Sequence, residues 1–198
     1  MLDLDVTDRR AAILDAAFKT FLAYGFRRTT MGDIADAAGI SRPALYIEFK
    51  NKADIYREGF IAFLDQTFRN VDSALHRDGS IVERINAALE AALVIPMRAI
   101  AQAPHGAELF ELKQELADDL GENWNAALER CLHQAFEQAA AKGELDLAGR
   151  NVSTQDIARL IVLSAEGIKK RMGDWGRIEA DLGKMVDLMV RPLVRQNA

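Results

Sequence analysis

The chain has 198 residues, 49% of them hydrophobic, which is enough for real cores in one large or two small domains. Its net charge of −5 is unevenly spread: residues 1–60 hold nine Lys/Arg against nine Asp/Glu, whereas 61–198 hold sixteen against twenty-one. Cys131 is the single cysteine, which excludes an internal disulfide, no apolar run approaches the roughly 20 residues of a membrane helix, and Met1-Leu2-Asp3-Leu4-Asp5 lacks the basic start of a signal peptide. The expectation is therefore a soluble, cytoplasmic protein with no membrane partner.

Residues 5–24 read as an amphipathic helix with Ile13, Leu14, Ala17, Phe18 and Phe21 inward, capped by Thr7 or Asp8 and ended by Gly25. Arg27 and Arg28 follow in a loop, either solvated or close to the backbone of a nucleic acid. From Thr29 to Lys52 the pattern predicts two short helices joined by a tight turn. Met31, Ile34, Ala35 and Ala38 recur at helical spacing behind Thr30 as cap, and Gly39 suits the left-handed residue that ends a helix. Ser41 then caps a second helix with Pro43 in its first turn, where the missing N–H has no partner to lose. Leu45 and Phe49 give that helix a buried stripe, leaving Arg42, Ala44, Tyr46 and Ile47 off it. Two helices linked so tightly cross steeply, as in a helix-turn-helix that presents its second helix to the major groove of DNA.

Between about Thr7 and Gly59 the chain resembles the TetR family of bacterial transcription regulators. The resemblance is carried by Phe21-Leu22-Ala23-Tyr24-Gly25-Phe26, Thr29-Thr30-Met31, Ile34-Ala35, Ala38-Gly39-Ile40-Ser41, Leu45-Tyr46 and Phe49-Lys50-Asn51-Lys52. It implies that Arg42 and Ala44 face base edges, that Tyr46 and Lys52 contact phosphate, and that Thr29 or Thr30 does so at the start of the preceding helix. Arg28 and Lys50 complete the cationic set, and Pro43 and Ile47 offer apolar contacts. Glu48 departs from the family, whose members often carry a neutral or basic residue there. It either pairs with Lys50, Lys52 or an arginine, accepts from a cytosine amino group, or points into solvent, the last being favoured.

The remaining sequence predicts an all-α chain of about nine helices, with no strand-like alternation and no repeat. Asn51 caps a long helix from Lys52 to about Leu75, read as a connector whose first turn aims N–H groups and Lys52 at a phosphate. Ser80 caps a helix to about Gln102, kinked or ended at Pro96; 107–120 is a shorter helix broken by Gly121, and 122–142 is a strong one. After a polar linker, Ser153 or Thr154 caps the penultimate helix, and Gly176 precedes the last. This divides the chain into 1–51 for DNA binding, 52–75 as connector and 76–198 as a second domain.

In the resembled family the second domain senses a small molecule and forms the dimer. Leu93, Met97, Phe110, Trp124, Cys131 and Phe136 could line a pocket for an apolar or amphipathic effector, although such a set is as readily plain core. Ile161, Ser164, Ala165 and Ile168, with Leu182, Met185, Val186 and Met189, suggest a four-helix interface in a homodimer, or a face packed within its own chain. Lys169-Lys170-Arg171 reads as a solvated helix end. His105 and His133 lack neighbouring ligands for a metal, Cys131 sits on an apolar face, and no Gly-rich phosphate loop occurs, so no cofactor and no enzymatic activity are expected. The expected function is a repressor that binds a palindromic operator in double-stranded DNA and is released by its effector. The alternatives are an activator, a regulator gated by a protein partner, or a helical interaction protein that has lost DNA binding.

Overall fold

Most helices begin where a short polar side chain accepts an orphan backbone N–H of the first turn. In the computed structural model, which describes residues 8–170 and 174–195, these caps are Asp8, Thr30, Ser41, Asn51, Ser80, Ser153 and Asp174. The helices are α1 (Arg9–Tyr24), α2 (Met31–Ala37), α3 (Arg42–Glu48), α4 (Lys52–His76), α5 (Ile81–Leu89), α6 (Ile95–Ala101), α7 (Gly106–Leu116), α8 (Asp118–Ala141), α9 (Thr154–Lys169) and α10 (Trp175–Met189). A π turn over Glu90–Val94 joins α5 to α6 in one rod, so the described residues form nine rods. Their sole extended pairing is an isolated bridge between Leu145 and Val194. The fold is all-α.

Two local expectations are corrected. Pro96 does not end the helical path; the α ladder is interrupted just before it by the π turn, with the Ile95 N–H donating to the Glu90 carbonyl. Gly121 is not a break either. The interruption falls four residues earlier at Ala117, a buried residue with φ −151° and ψ 25°, and α8 runs on through the glycine. A helix tolerates one glycine at about 1 kcal/mol when packing fixes its axis. The residues proposed to start the first helix before Asp8, and Arg171, lie outside the described residues.

The chain divides into two compact units. One takes in the chain up to Gln66 together with Met97–Gly121; the other takes in Thr67–Pro96 and the chain from Glu122 onward. In the first, Ile13, Leu14, Ala17 and Phe21 of α1 pack with Ile34 and Ala35 of α2, Leu45 of α3, Ile55 and Tyr56 of α4, and Leu109 and Leu112 of α7. In the second, α5, α8, α9 and α10 each bury one apolar stripe, and the Phe68 and Trp124 rings meet at 4.2 Å. Buried Arg84 donates to the Glu144 carboxylate at 2.6 Å and so ties α5 to the segment after α8.

Candidate nucleic-acid interface

The local chemistry of residues 29–49 sets the geometry of α2 and α3. Thr30 and Asp33 form a reciprocal capping box, in which the Asp33 N–H donates to Thr30 Oγ1 at 3.2 Å and the Thr30 N–H donates to Asp33 Oδ2 at 2.8 Å. The Thr30 N–H, and the Thr30 hydroxyl donating to the same oxygen at 2.9 Å, lower the pKa of the Asp33 carboxyl from its ordinary value. At the other end Gly39 takes φ +67°, and the Ile40 N–H reaches back to the Ala35 carbonyl at 3.0 Å, closing the turn. Ser41 Oγ then accepts from the Ala44 N–H at 3.3 Å. Leu45 and Phe49, 0% and 1% exposed, anchor α3 in the core, which turns Arg42, Tyr46 and Ile47 outward; Ile47 is 83% exposed. An isoleucine so placed is an apolar group held in water by the fold.

Most of the expected DNA-facing residues reach solvent. Arg28, Thr30, Arg42, Pro43, Tyr46, Ile47 and Lys50 are exposed and Ala44 is half-buried. The Arg42 guanidinium lies 5.7 Å from the Tyr46 ring centroid, and a hydrogen bond with Tyr46 raises its pKa further above the ordinary arginine value. Two residues are turned elsewhere. Thr29 is buried, and its hydroxyl donates to the Gly25 carbonyl at 2.6 Å, so it cannot reach a phosphate in this geometry. Lys52, expected to do so, donates instead to the carbonyls of Phe26, Arg27 and Thr29 at 2.6, 3.1 and 3.0 Å, with its ammonium 4.5 Å from the Phe26 ring centroid. Burial lowers its pKa, against the opposing pull of Glu108. Its charge is spent on holding the loop between α1 and α2.

Glu48 does not point freely into solvent. Arg10 Nη1 lies 3.4 Å from its carboxylate and donates to its backbone carbonyl at 2.9 Å, while Arg9 Nε is 4.0 Å from its other oxygen. The same Arg10 donates through Nε and Nη2 to both oxygens of Glu58, at 3.0 and 2.6 Å, and covers the Phe49 ring at 4.2 Å. Sequence reasoning missed both arginines, because they stand on α1, far along the chain from α3.

The α7 segment braces the same unit. The Tyr56 hydroxyl donates to the Leu109 carbonyl at 2.8 Å, and burial raises its pKa well above the ordinary tyrosine value. Arg57 forms a fork with Asp119 at 2.8 and 2.5 Å, and Glu108 accepts from the Arg27 N–H at 2.8 Å.

Residues 13–58, which build this surface, match the family of bacterial regulatory proteins named tetR. The chain is 31% identical over 146 residues to the transcriptional repressor ComR of Escherichia coli (strain K12), a span covering 71% of this chain and 69% of that protein. It belongs to the TetR family of DNA-binding transcription regulators. A second relative, the regulator YhgD of Bacillus subtilis (strain 168), is 34% identical over 86 residues, 43% of this chain and 45% of that protein. Among solved structures, a transcriptional regulator from Cytophaga hutchinsonii shares the fold with TM-score 0.75 at 15% identity, covering 92% of this chain and 97% of that one. SmeT, the repressor of the Stenotrophomonas maltophilia efflux pump SmeDEF, does so with TM-score 0.64 at 18% identity, covering 98% and 94%.

The structure does not bring the six candidate effector residues together in one unit of this TetR-family chain. Leu93, Trp124 and Phe136 are buried in the core of the second unit with Cys131 half-buried, whereas Met97 and Phe110 belong to the first. Burial and the charge of Asp72 push the Cys131 thiol up, away from reactivity. Of the candidate dimer residues, Ile161, Ala165, Leu182, Met185 and Val186 are buried within the chain itself, while Ser164, Ile168 and Met189 are half-exposed. The outward stripe lies beside them: Leu160, Leu163 and Leu188 are 43%, 62% and 78% exposed. An open cavity of about 400 Å³, lined by Ser164, Gly167, Ile168, Lys184, Met185 and Leu188 among others, runs along the same face. The spacing Leu160, Leu163, Ser164, Gly167 carried this signal in the sequence.

Proposed function

We propose that the protein is a homodimeric repressor that binds a near-palindromic operator and leaves it when a small-molecule effector binds the second unit. The observation that carries the DNA reading is α3, a capped helix held by Leu45 and Phe49 with Arg42, Tyr46 and Ile47 outward. Arg42 is suited to donate twice to guanine and Ala44 to touch a thymine methyl, while Tyr46, Arg28, Thr30 and Lys50 are placed for phosphates. Lys52 and Thr29 take no direct part in this reading. Two copies of α3 about 34–36 Å apart would read two half-sites one helical turn apart.

The outward leucines of α9 and α10 support the dimer, since a lone monomer gains nothing from exposing Leu163 and Leu188. The repressor sign follows the names of the Escherichia coli and Stenotrophomonas proteins. An apolar or amphipathic effector suits the aromatic and thiol-bearing interior of the second unit, and it acts by favouring a state in which the half-site spacing no longer fits. The test is selection of duplexes from a random pool, followed by fluorescence anisotropy at two salt concentrations with scrambled competitor. Competitor-resistant binding to paired half-sites is expected; binding lost equally to competitor and modest salt would leave only non-specific attraction.

A further inference from the structure

We infer that Arg10 is a positioning residue for DNA binding, which holds the C-terminal end of α3 and masks the Glu48 carboxylate that would otherwise repel nearby phosphates. The inference rests on the reading that α3 enters the groove. At its start α3 is fixed by Ser41, but at its end the last carbonyls are orphan acceptors, and the Glu48 carbonyl is met by Arg10 Nη1 at 2.9 Å. The same guanidinium lies over Phe49, whose burial anchors the helix, and reaches Glu58 with a two-pronged fork. It therefore links α1, α3 and α4 through one planar group, a geometry that a lysine ammonium cannot reproduce.

The charge count gives the masking. Two guanidiniums, Arg9 and Arg10, stand against two carboxylates, Glu48 and Glu58, so the cluster is neutral. Without Arg10 it carries one net negative charge at the end of the helix that approaches DNA. Phosphate repulsion then acts on every sequence alike and falls with added salt.

The test is a double-mutant cycle in the full chain, with thermal unfolding recorded for each variant. The probe is the duplex selected by the unaltered protein, held at low and high salt. Arg10→Gln is expected to weaken binding about fivefold at low salt, the scale of a partly exposed charge pair. Adding Glu48→Gln is expected to recover most of that loss. Any remainder that Glu48→Gln does not recover belongs to the bond from Arg10 to the Glu48 backbone carbonyl; a loss left wholly in place, as from an arginine that touched phosphate itself, overturns the inference, as does unaltered binding by Arg10→Gln. Should Arg10→Gln be too unstable to assay, Arg10→Lys enters the same cycle: because lysine keeps the cluster neutral, only a small loss with no recovery from Glu48→Gln is expected, and a loss that Glu48→Gln recovers overturns the masking. Arg42→Ala separates the two readings: if it binds as the unaltered chain does, the placement of α3 in the groove has failed, whatever the cycle shows.

Discussion

Arg42 and Lys52 are both cations in the matched segment, yet their surroundings assign them different work. Arg42 is exposed beside the Tyr46 side chain, and a guanidinium has donors beyond the one that meets Tyr46 to offer a base. Arg42→Ala is expected to cost about 1–3 kcal/mol of binding and to relax preference at one position of the half-site, read by titrating duplexes changed one base pair at a time. Lys52 has three carbonyl acceptors at 2.6 to 3.1 Å, so Lys52→Met should act on the fold instead. It is expected to lower stability by about 1–3 kcal/mol, seen in urea unfolding, because acceptors that held an ammonium lose it. The slope of log affinity against log salt should then stay as it was, whereas loss of a phosphate contact would lower it by about one.

At the scale of the element, the helix starts were legible because caps are local. Thr30, Ser41 and Ser80 each act within three residues and were read from their neighbours alone, while Ser153 was one of two caps left open with Thr154. What escaped was set from a distance. The partner of Glu48 comes from 38 residues away, Lys52 turns inward to a loop more than 20 residues earlier, and the break between α7 and α8 falls at Ala117, which has no local stop signal. In the three capping boxes Asp33, Glu83 and Asp156 have pKa values lowered first by hydrogen bonds from Thr30, Ser80 and Ser153. A depressed folded pKa means stability that is present above the unfolded value and lost as pH falls through the folded one. Acidification through the lower carboxylate range should therefore loosen the starts of α2, α5 and α9, checked by amide exchange across a pH series. Thr30→Ala, which removes one of these caps, is expected to cost about 1 kcal/mol. Gly59 of α4 is a different constraint, since a Cβ there would collide with the Phe18 ring. Gly59→Ala must displace that ring from its stack on Tyr56, and a loss of about 1–3 kcal/mol is expected in thermal unfolding.

For the whole molecule, the decisive quantity is whether two recognition helices are tied together. On the proposed reading a single α3 of seven residues would touch few base pairs, and linking two copies would multiply affinity by about 10²–10⁴ through effective concentration alone. The stripe of Leu160, Leu163 and Leu188 is the apolar surface that could supply the link, and it can be charged without touching the core of α9 and α10. Ile161, fully buried one residue away, marks the contrast: truncating it to alanine should cost about 2–5 kcal/mol of stability and leave the association state of the folded fraction unaltered. Leu163→Glu with Leu188→Glu should do the reverse, giving a monomer by sedimentation velocity with unfolding temperature nearly unchanged. Such a monomer keeps its affinity for an isolated half-site and loses about a hundredfold or more on the paired operator. A variant that stays dimeric would move the interface off this face, and one that loses the half-site as well would mean that the substitutions had disturbed the fold.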